Sequence, residues 1–365
     1  MSRYQFDLAG PTDDFEIRQV MANTPMPGSV ELSFQHEPSY FESSQVLGPR
    51  RETIVCRDTI DGSIVGVASR SIREMHVRNQ IRLVGYLGGL RIAPHARNQG
   101  LVAGGYRFLR QLHESDPNPP DYYLTTIAEN NQVATRVLTS GRAGLPNYCR
   151  VCRVHTFLLP IKASNNRPRG CQKATHFHEV LDFLTSCAPN RLHFPAYNPD
   201  DFDGGGGTFR NLNPDSVVTM RDHDKLVGVA GIWDQRSFRQ TIVTAYSNLT
   251  SLLRPAMNQW ARAAGRIQLP PVNGMLNAIY ACFPVAAKND PVVFNKLLRG
   301  MMQITPSDCD VLLVGHCDDD PLMPITRKWS QLSYVTQLFA VSWDDKNRSA
   351  VSEAKQPHYL ELGCL

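Results

Sequence analysis

Apolar residues recur along this chain with two periods, and the switches between those periods mark out its elements. Residues 12–23 open on Thr12 and two aspartates and carry Phe15, Val20 and Met21 at helical spacing. That pattern predicts an amphipathic helix, stopped by Pro25 and Pro27. A second short helix is expected to begin near Pro38. Residues 52–58 alternate, Asp61-Gly62 is a turn signal and residues 64–71 return, which is the pattern of a hairpin. A further β-rich run covers 81–92, is interrupted by Gly88-Gly89 and ends at Pro94. From Arg97 to Glu114 the period lengthens, and Leu101, Gly104, Gly105, Phe108, Leu109 and Leu112 fall on one helical face. A strand over 122–128, a helix over 131–138 and a strand over 151–159 complete the first half.

The polar stretch 162–174, with Asn165-Asn166-Arg167-Pro168-Arg169-Gly170, reads as a linker. The same order of elements then recurs. A helix is expected over 178–187, a hairpin from 216–221 and 226–233, and a strand over 275–285. A helix over 292–302 follows, then strands at 311–314, 335–343 and 359–362. One tetrapeptide supports duplication: Val65-Gly66-Val67-Ala68 recurs as Val227-Gly228-Val229-Ala230, each time in the returning strand of the hairpin. The later pair Asp121 and Asp310 has a larger offset, and the extra residues fall where an added helix is expected over 252–264. The chain therefore divides into residues 1–161, a linker at 162–174 and residues 175–365.

Composition narrows the class. At 365 residues, with 42% hydrophobic and 20% charged residues, the chain is globular and long enough for two domains. Lys+Arg exceeds Asp+Glu by only four and no basic block occurs, so no nucleic-acid partner is expected. No apolar run is long enough to span a bilayer, and the first residues lack the apolar core of a secretory signal. The expected location is cytoplasmic, with no membrane partner. Nine scattered cysteines suit reduced thiols. Cys149-Arg150-Val151-Cys152 is a lone CxxC on a strand, whose side chains are expected on opposite faces. His176 and His178, two apart on a helix, are expected to face different sides. Neither pair makes a metal site, and none is expected. Gly204–Gly207 opens no helix and carries no function.

Chemistry concentrates at one helix start. Unpaired amides and a partial positive charge at a helix N-terminus bind phosphate, and Gly100 permits close approach. Arg97 adds a charge-assisted contact, and Leu101 turns inward as an anchor. The segment Tyr86-Leu87-Gly88-Gly89-Leu90-Arg91-Ile92, followed by Arg97-Asn98-Gln99-Gly100-Leu101-Val102, resembles the acetyl-CoA segment of the GCN5-related N-acetyltransferase superfamily. Its Q/R-x-x-G-x-G/A signature is met at Arg97 and Gly100, with Val102 in place of the usual Gly or Ala. Asn131-Gln132-Val133-Ala134 resembles the N-x-x-A that opens a later helix in many members.

The resemblance implies an α/β (α+β) protein of two tandem domains of that fold, each a mixed, mostly antiparallel sheet flanked by helices. It implies an acetyl-CoA-dependent N-acetyltransferase. Pantetheine would pair with Leu90, Arg91 and Ile92, and the pyrophosphate would meet Arg97, Asn98, Gln99, Gly100, Leu101 and Val102. Asn131 would contact pantetheine or simply cap its helix. A primary amine of a small molecule or peptide would attack the thioester. Glu129 is the candidate base and Tyr148 the candidate acid. A homodimer is consistent with the family. The alternative is a non-catalytic acyl-CoA-binding or assembly module. In the second half the corresponding junction, Lys288-Asn289-Asp290-Pro291, has no glycine. Asp290 is expected to cap the helix and Pro291 has no N–H, so this half is expected to be degenerate, either shaping the substrate site or extending the sheet.

Overall fold

The computed structural model describes residues 3–161, 168–344 and 356–365. In the first half the strands are β1 (Tyr4–Leu8), β2 (Val30–Gln35), β3 (Arg50–Asp58), β4 (Ile64–Val77), β5 (Gln80–Ile92), β6 (Tyr122–Ala128) and β7 (Asn147–Pro160). Its helices are α1 (Asp14–Ala22), α2 (Tyr40–Ser43), α3 (Leu101–Ser115) and α4 (Gln132–Leu138). The second half contributes β8 (Cys171–Lys173), α5 (Phe177–Cys187), β9 (Phe194–Pro195), β10 (Val217–Asp222), β11 (Lys225–Trp233) and β12 (Gln240–Tyr246). It continues with α6 (Asn248–Ala263), β13 (Ala278–Ala286), α7 (Pro291–Ile304), β14 (Val311–Cys317), α8 (Met323–Trp329) and β15 (Leu332–Ser342).

Among the described residues one long sheet runs in the order β1-β3-β4-β5-β6-β15-β7-β14-β13-β11-β10-β8. The order is palindromic. The path β1-β3-β4-β5-β6 of the first half answers to β8-β10-β11-β13-β14 of the second. In each half the one parallel pairing is at the same place, β5 with β6 and β13 with β14. At the centre the halves exchange their last strands: β15 pairs with β6, and β7 pairs with β14. The two central strands also pair with each other from Leu332↔Leu158 to Ser342↔Asn147. The sheet is thus continuous across both halves, and each half needs the other's strand to complete its run of pairing.

Of the central strands β6 and β14 are covered on both faces and are buried almost throughout. On β6, Tyr122 and Leu124 join the cluster of Met75, Val84 and Leu192, while Tyr123 and Ile127 join Leu109 of α3 on the opposite face. The helical face read from the sequence is the one α3 buries: Leu101, Gly104 and Leu109 are buried, and Phe108 and Leu112 half-buried.

Several expectations need correction. Of the linker, Asn165-Asn166-Arg167 lies outside the described residues, but Cys171–Lys173 is an edge strand paired with β10. Residues 359–362 form no strand; their buried side chains belong to an irregular tail that ends in a single turn, Leu362–Cys364. Strands β2 and β12 and helix α8 have no counterpart in the sequence reading. A bulge in β7 opposite Leu338 and Phe339 breaks strict alternation, so Cys149 and Cys152 border the same apolar cluster instead of opposite faces. His176 is not on the helix but precedes it in extended conformation, and its ring stacks on His178 at 5.6 Å. All nine cysteines are free thiols.

Candidate functional site

The first half contains a cleft made by strands that begin paired and then part. β5 and β6 are in register only over Val84↔Tyr122, Gly85↔Tyr123 and Tyr86↔Leu124. Beyond that, β5 stays with β4 and β6 turns to β15. The divergence has a local cause. Ser69 pairs with Gly88 but Val67 with Arg91, so Gly89 and Leu90 together face Ala68 in a bulge that bends β5 away. Gly89 sits at φ +63°, a conformation that costs an L side chain energy. The apex of the cleft is closed by two bonds, Thr125 Oγ1 donating to Leu87 O at 2.8 Å and the Tyr86–Thr126 hydroxyl pair at 2.7 Å.

The cleft opens toward the start of α3. After a turn at Pro94–Ala96 the chain passes through Asn98 at φ +63° and Gly100 at φ +73°, and the helix begins at Leu101. Residues 97–100 are exposed, and the space where a Gly100 side chain would stand is empty within 4 Å. Among the described residues no side chain caps the first turn of α3. Its amides therefore face outward, as the phosphate-binding reading requires. Leu101 is buried with Cys56, Val65 and Ala96. Val102 packs against the cluster of Ile54, Leu87 and Leu109, so the residue that departs from the signature points into the core and not at the phosphate position. Arg97 Nε donates to Ile92 O at 3.3 Å and Arg91 donates to Leu90 O at 2.9 Å. Asn131 is a helix cap: its Oδ1 accepts from Ala134 N–H at 3.1 Å. Asn131→Ala is therefore expected to cost about 1 kcal/mol of stability while leaving acyl-CoA affinity near wild type, which thermal melts and calorimetry would separate.

The two proposed catalytic groups do not converge. Glu129 lies at the exposed end of β6, ion-paired with Arg153 at 2.8 Å. Tyr148 pairs with Val341 on β15, and Val341 with Tyr123, six residues back along β6 from Glu129 and roughly 20 Å away. There its hydroxyl bonds to that of Tyr106 on α3 and its ring packs edge-on against Phe339. Burial raises its pKa further from use. Tyr148 is thus a half-buried group that the structure does not bring beside Glu129.

Sequence reasoning missed a different cluster beside β5. His36, Tyr40, Tyr86, Arg91, Arg239 and Tyr334 share one electrostatic neighbourhood. Burial, then the charges of Arg239 and Arg91, push the His36 pKa down to about 3. Ser43 Oγ donates to Tyr40 O at 2.7 Å, so His36 Nδ1–H is the donor in its own 2.7 Å bond to Ser43, which leaves Nε2 with a lone pair. Burial also lowers the Arg91 pKa, and no carboxylate reaches Arg91 among the described residues. The signal was not local: Arg239 and Tyr334 come from the second half. Tyr334 is on β15 of the long sheet, and Arg239 leads into a small sheet in which β12 pairs with β2 from Gln240↔Gln35 to Tyr246↔Val30.

The second half has the same cleft, closed by its own side chains. β13 and β14 are in register only over Ala278–Tyr280. A bulge lies opposite Ala230, the counterpart of Ala68, and contains Phe283 at φ +38°. At the helix start, Asp290 Oδ1 accepts from Val292 N–H at 2.7 Å and Val293 N–H at 3.1 Å, as expected from the sequence. Between the diverging strands lies the chain's own tail. Glu361 Oε2 accepts from Phe283 N–H at 2.9 Å, Tyr359 Oη at 2.6 Å and Tyr197 Oη at 3.1 Å. Leu362 covers Gly315 of β14. Gly89 N–H, the counterpart of Phe283 N–H, meets no carboxylate among the described residues. Nor do the described residues contain a group of three or more His, Cys, Asp or Glu placed to hold a metal ion.

No protein-family model matches the sequence, and no curated protein matches it. Solved structures do. N-myristoyltransferase of Saccharomyces cerevisiae with bound myristoyl-CoA aligns over 93% of this chain and 83% of its own, with a TM-score of 0.60 and 10% identity. A GCN5-related N-acetyltransferase from Sphaerobacter thermophilus aligns over 93% and 96%, with a TM-score of 0.53 and 10% identity. Another from Anabaena variabilis aligns over 92% and 72%, with a TM-score of 0.51 and 11% identity. The chain has the fold of the GCN5-related N-acetyltransferase superfamily over most of its length.

Proposed function

We propose that this protein is an acyl-CoA-dependent N-acyltransferase with one working cleft, between β5 and β6, and that its donor is acetyl-CoA. The observation that carries this reading is the contrast between the two clefts. The phosphate-type amides of α7 and the bulge amide of β13 are taken by Asp290 and Glu361, whereas those of α3 and β5 remain available to a ligand. In the first cleft the pyrophosphate would lie on the amides of residues 98–102, with pantetheine along Leu90 to Ile92. Gly89 N–H would polarise the thioester carbonyl, as Phe283 N–H holds a carboxylate oxygen in the other half. The solved neighbours named above, one of them holding myristoyl-CoA, support a CoA thioester as donor. A short acyl group is favoured because the Tyr86–Thr126 pair closes the apex behind the bulge.

In the reaction a neutral amine nitrogen attacks the carbonyl carbon, the C–S bond breaks, and the sulfur leaves with the electron pair. The amine's proton passes to a base and the thiolate gains one from solvent. His36, whose Nε2 keeps a lone pair while Nδ1 is held by Ser43, is the base we propose; Glu129 is the other candidate. The acceptor is a primary amine of a small molecule or peptide, bound against β2 and β12.

Calorimetry with acetyl-CoA, followed by turnover on a panel of amines and peptides, tests the proposal. Absence of binding at millimolar acetyl-CoA would sink it. Binding without transfer to any acceptor would favour a non-catalytic acyl-CoA module. In a series of donors of increasing acyl length, kcat/KM is expected to be highest for acetyl; a maximum at long chains would refute the closed apex. His36→Ala is expected to lower kcat about tenfold with unchanged acetyl-CoA affinity, a modest loss because a base of depressed pKa drives proton transfer weakly. Should Glu129→Gln show that loss instead, the base is Glu129.

A further inference from the structure

Helix α6 is mounted with its polar side inward. Asn258 binds the chain at Leu269 through both its side-chain atoms, at 2.8 Å each, and Arg254 donates to Pro270 O at 3.2 Å. The one buried residue of the helix is Ala261. At 100° per residue, Leu249, Leu252, Leu253, Met257 and Trp260 form a single stripe on the opposite side. All five are exposed, Leu252 by 77% and Trp260 by 58%. A protein normally buries such a stripe, and an exposed one of this kind marks an interaction surface.

Charge decides what it meets. From Gln235 to Asn289 the sequence holds no Asp or Glu, and Arg254, Arg262 and Arg266 lie on α6 or just past its end; Arg236 in the same stretch is already paired with Asp234 and Asp308. The Arg266 guanidinium lies 4.8 Å over the Trp260 ring, at the border of the stripe. A second copy of this chain would present the same cationic surface and be repelled, whereas an anionic surface is attracted to it. Leucines and a tryptophan on one face of a helix that itself carries arginines and no acids are the composition of a helix that lies in the plane of a bilayer surface. Among the described residues no helix is long and apolar enough to cross a membrane, so the mode is surface docking.

We propose that α6 docks the protein on anionic lipid bilayers, with Leu249, Leu252, Leu253, Met257 and Trp260 inserted at the headgroup boundary. The helix stands close to the cleft: Ile267 N–H, just past its end, donates to Gln331 at 3.1 Å, and Gln331 precedes the strand that carries Tyr334 beside Arg91. The proposal is independent of the acyl-transfer reading.

Flotation of the full chain with phosphatidylcholine vesicles, and with phosphatidylcholine vesicles containing phosphatidylserine, tests it. Binding to the phosphatidylserine vesicles, weakened by salt and weaker still on phosphatidylcholine alone, is the expected result. Leu252→Glu and Trp260→Glu are expected to lower that partitioning about tenfold or more. Because both side chains are exposed, their melting temperatures should stay at wild type. Failure of the wild-type chain to bind either vesicle at low salt overturns the proposal. So does a wild-type dimer in sedimentation that Leu252→Glu splits while vesicle binding is unchanged, since the stripe would then hold a second copy.

Discussion

Replacing Gly100 with glutamate is expected to weaken acetyl-CoA binding by more than about a hundredfold while leaving the fold intact. Two effects combine. A carboxylate set at the start of α3 offers its oxygens to the amides meant for the pyrophosphate, and charge-assisted bonds of that kind are worth about 1.5–3 kcal/mol each. It also repels the phosphates directly. The second half already contains the natural version of this change, since Asp290 bonds to two amides of α7. The stability cost is limited to backbone strain at φ +73°, about 1–2 kcal/mol, because nothing lies within 4 Å of the new side chain's first carbon. Gly100→Ala supplies that strain without the charge and should weaken binding only a few-fold. Calorimetry on both variants reads the difference, with melting curves as the control. Equal affinities for wild type and the glutamate variant would mean that the pyrophosphate lies elsewhere. Asp290→Ala, by contrast, is not expected to create a second site, because Pro291 still lacks an N–H and the tail still fills the cleft.

Much of this architecture is written locally in the chain. The hairpin turn at Asp61-Gly62 and the cap at Asp290 depend on residues within one turn of each other, and the structure places them where the sequence predicts, whereas the helix expected from Arg97 begins one turn later, at Leu101, because Asn98 and Gly100 are left-handed. The Val-Gly-Val-Ala repeat proved more informative than its length suggests, since Ala68 and Ala230 stand opposite the two bulges that open the clefts. What could not be read depends on distant partners. Ser33 is the buried residue of β2, against the usual alternation, because that strand pairs with β12 more than 200 residues away. The exchange of β7 and β15 pairs strands from opposite halves of the chain, and no local signal encodes it. Tyr148 could be weighed only by its distance from the motif, and the register of β15 is what removes it from Glu129. Helix α6 was legible as a helix, but a count of apolar runs looks for spans and misses a stripe that faces outward. The Arg91–Arg239 cluster likewise exists only because β12 folds back across the first half.

The tail that closes the second cleft carries the other large effect. Glu361 is 3% exposed, and one oxygen, Oε2, receives Phe283 N–H, Tyr359 Oη and Tyr197 Oη, while Oε1 has no partner among the described residues. Glu361→Ala would leave three buried donors unsatisfied and open a cavity beneath Leu362, at a cost of about 4 kcal/mol or more. Glu361→Gln keeps an acceptor for the three donors and removes a buried charge, so it should be neutral or stabilising. The pH dependence separates charge from packing. Burial raises the Glu361 pKa above its ordinary 4.5, with the three hydrogen bonds and Arg73 offsetting part of that rise. In the window between the unfolded and folded values the native state therefore holds a proton that the unfolded chain has released. The contribution of Glu361 to stability is thus complete below the ordinary carboxylate range and is lost as pH rises through the folded pKa. Denaturant melts of wild type and Glu361→Gln across that range should converge at low pH and separate above it, with the glutamine variant the more stable. Parallel curves would mean that the carboxylate is ionised in both states and that Arg73 compensates it fully. In either case acetyl-CoA affinity at the first cleft should be unchanged by Glu361→Gln, because the two clefts share a sheet but no ligand contact.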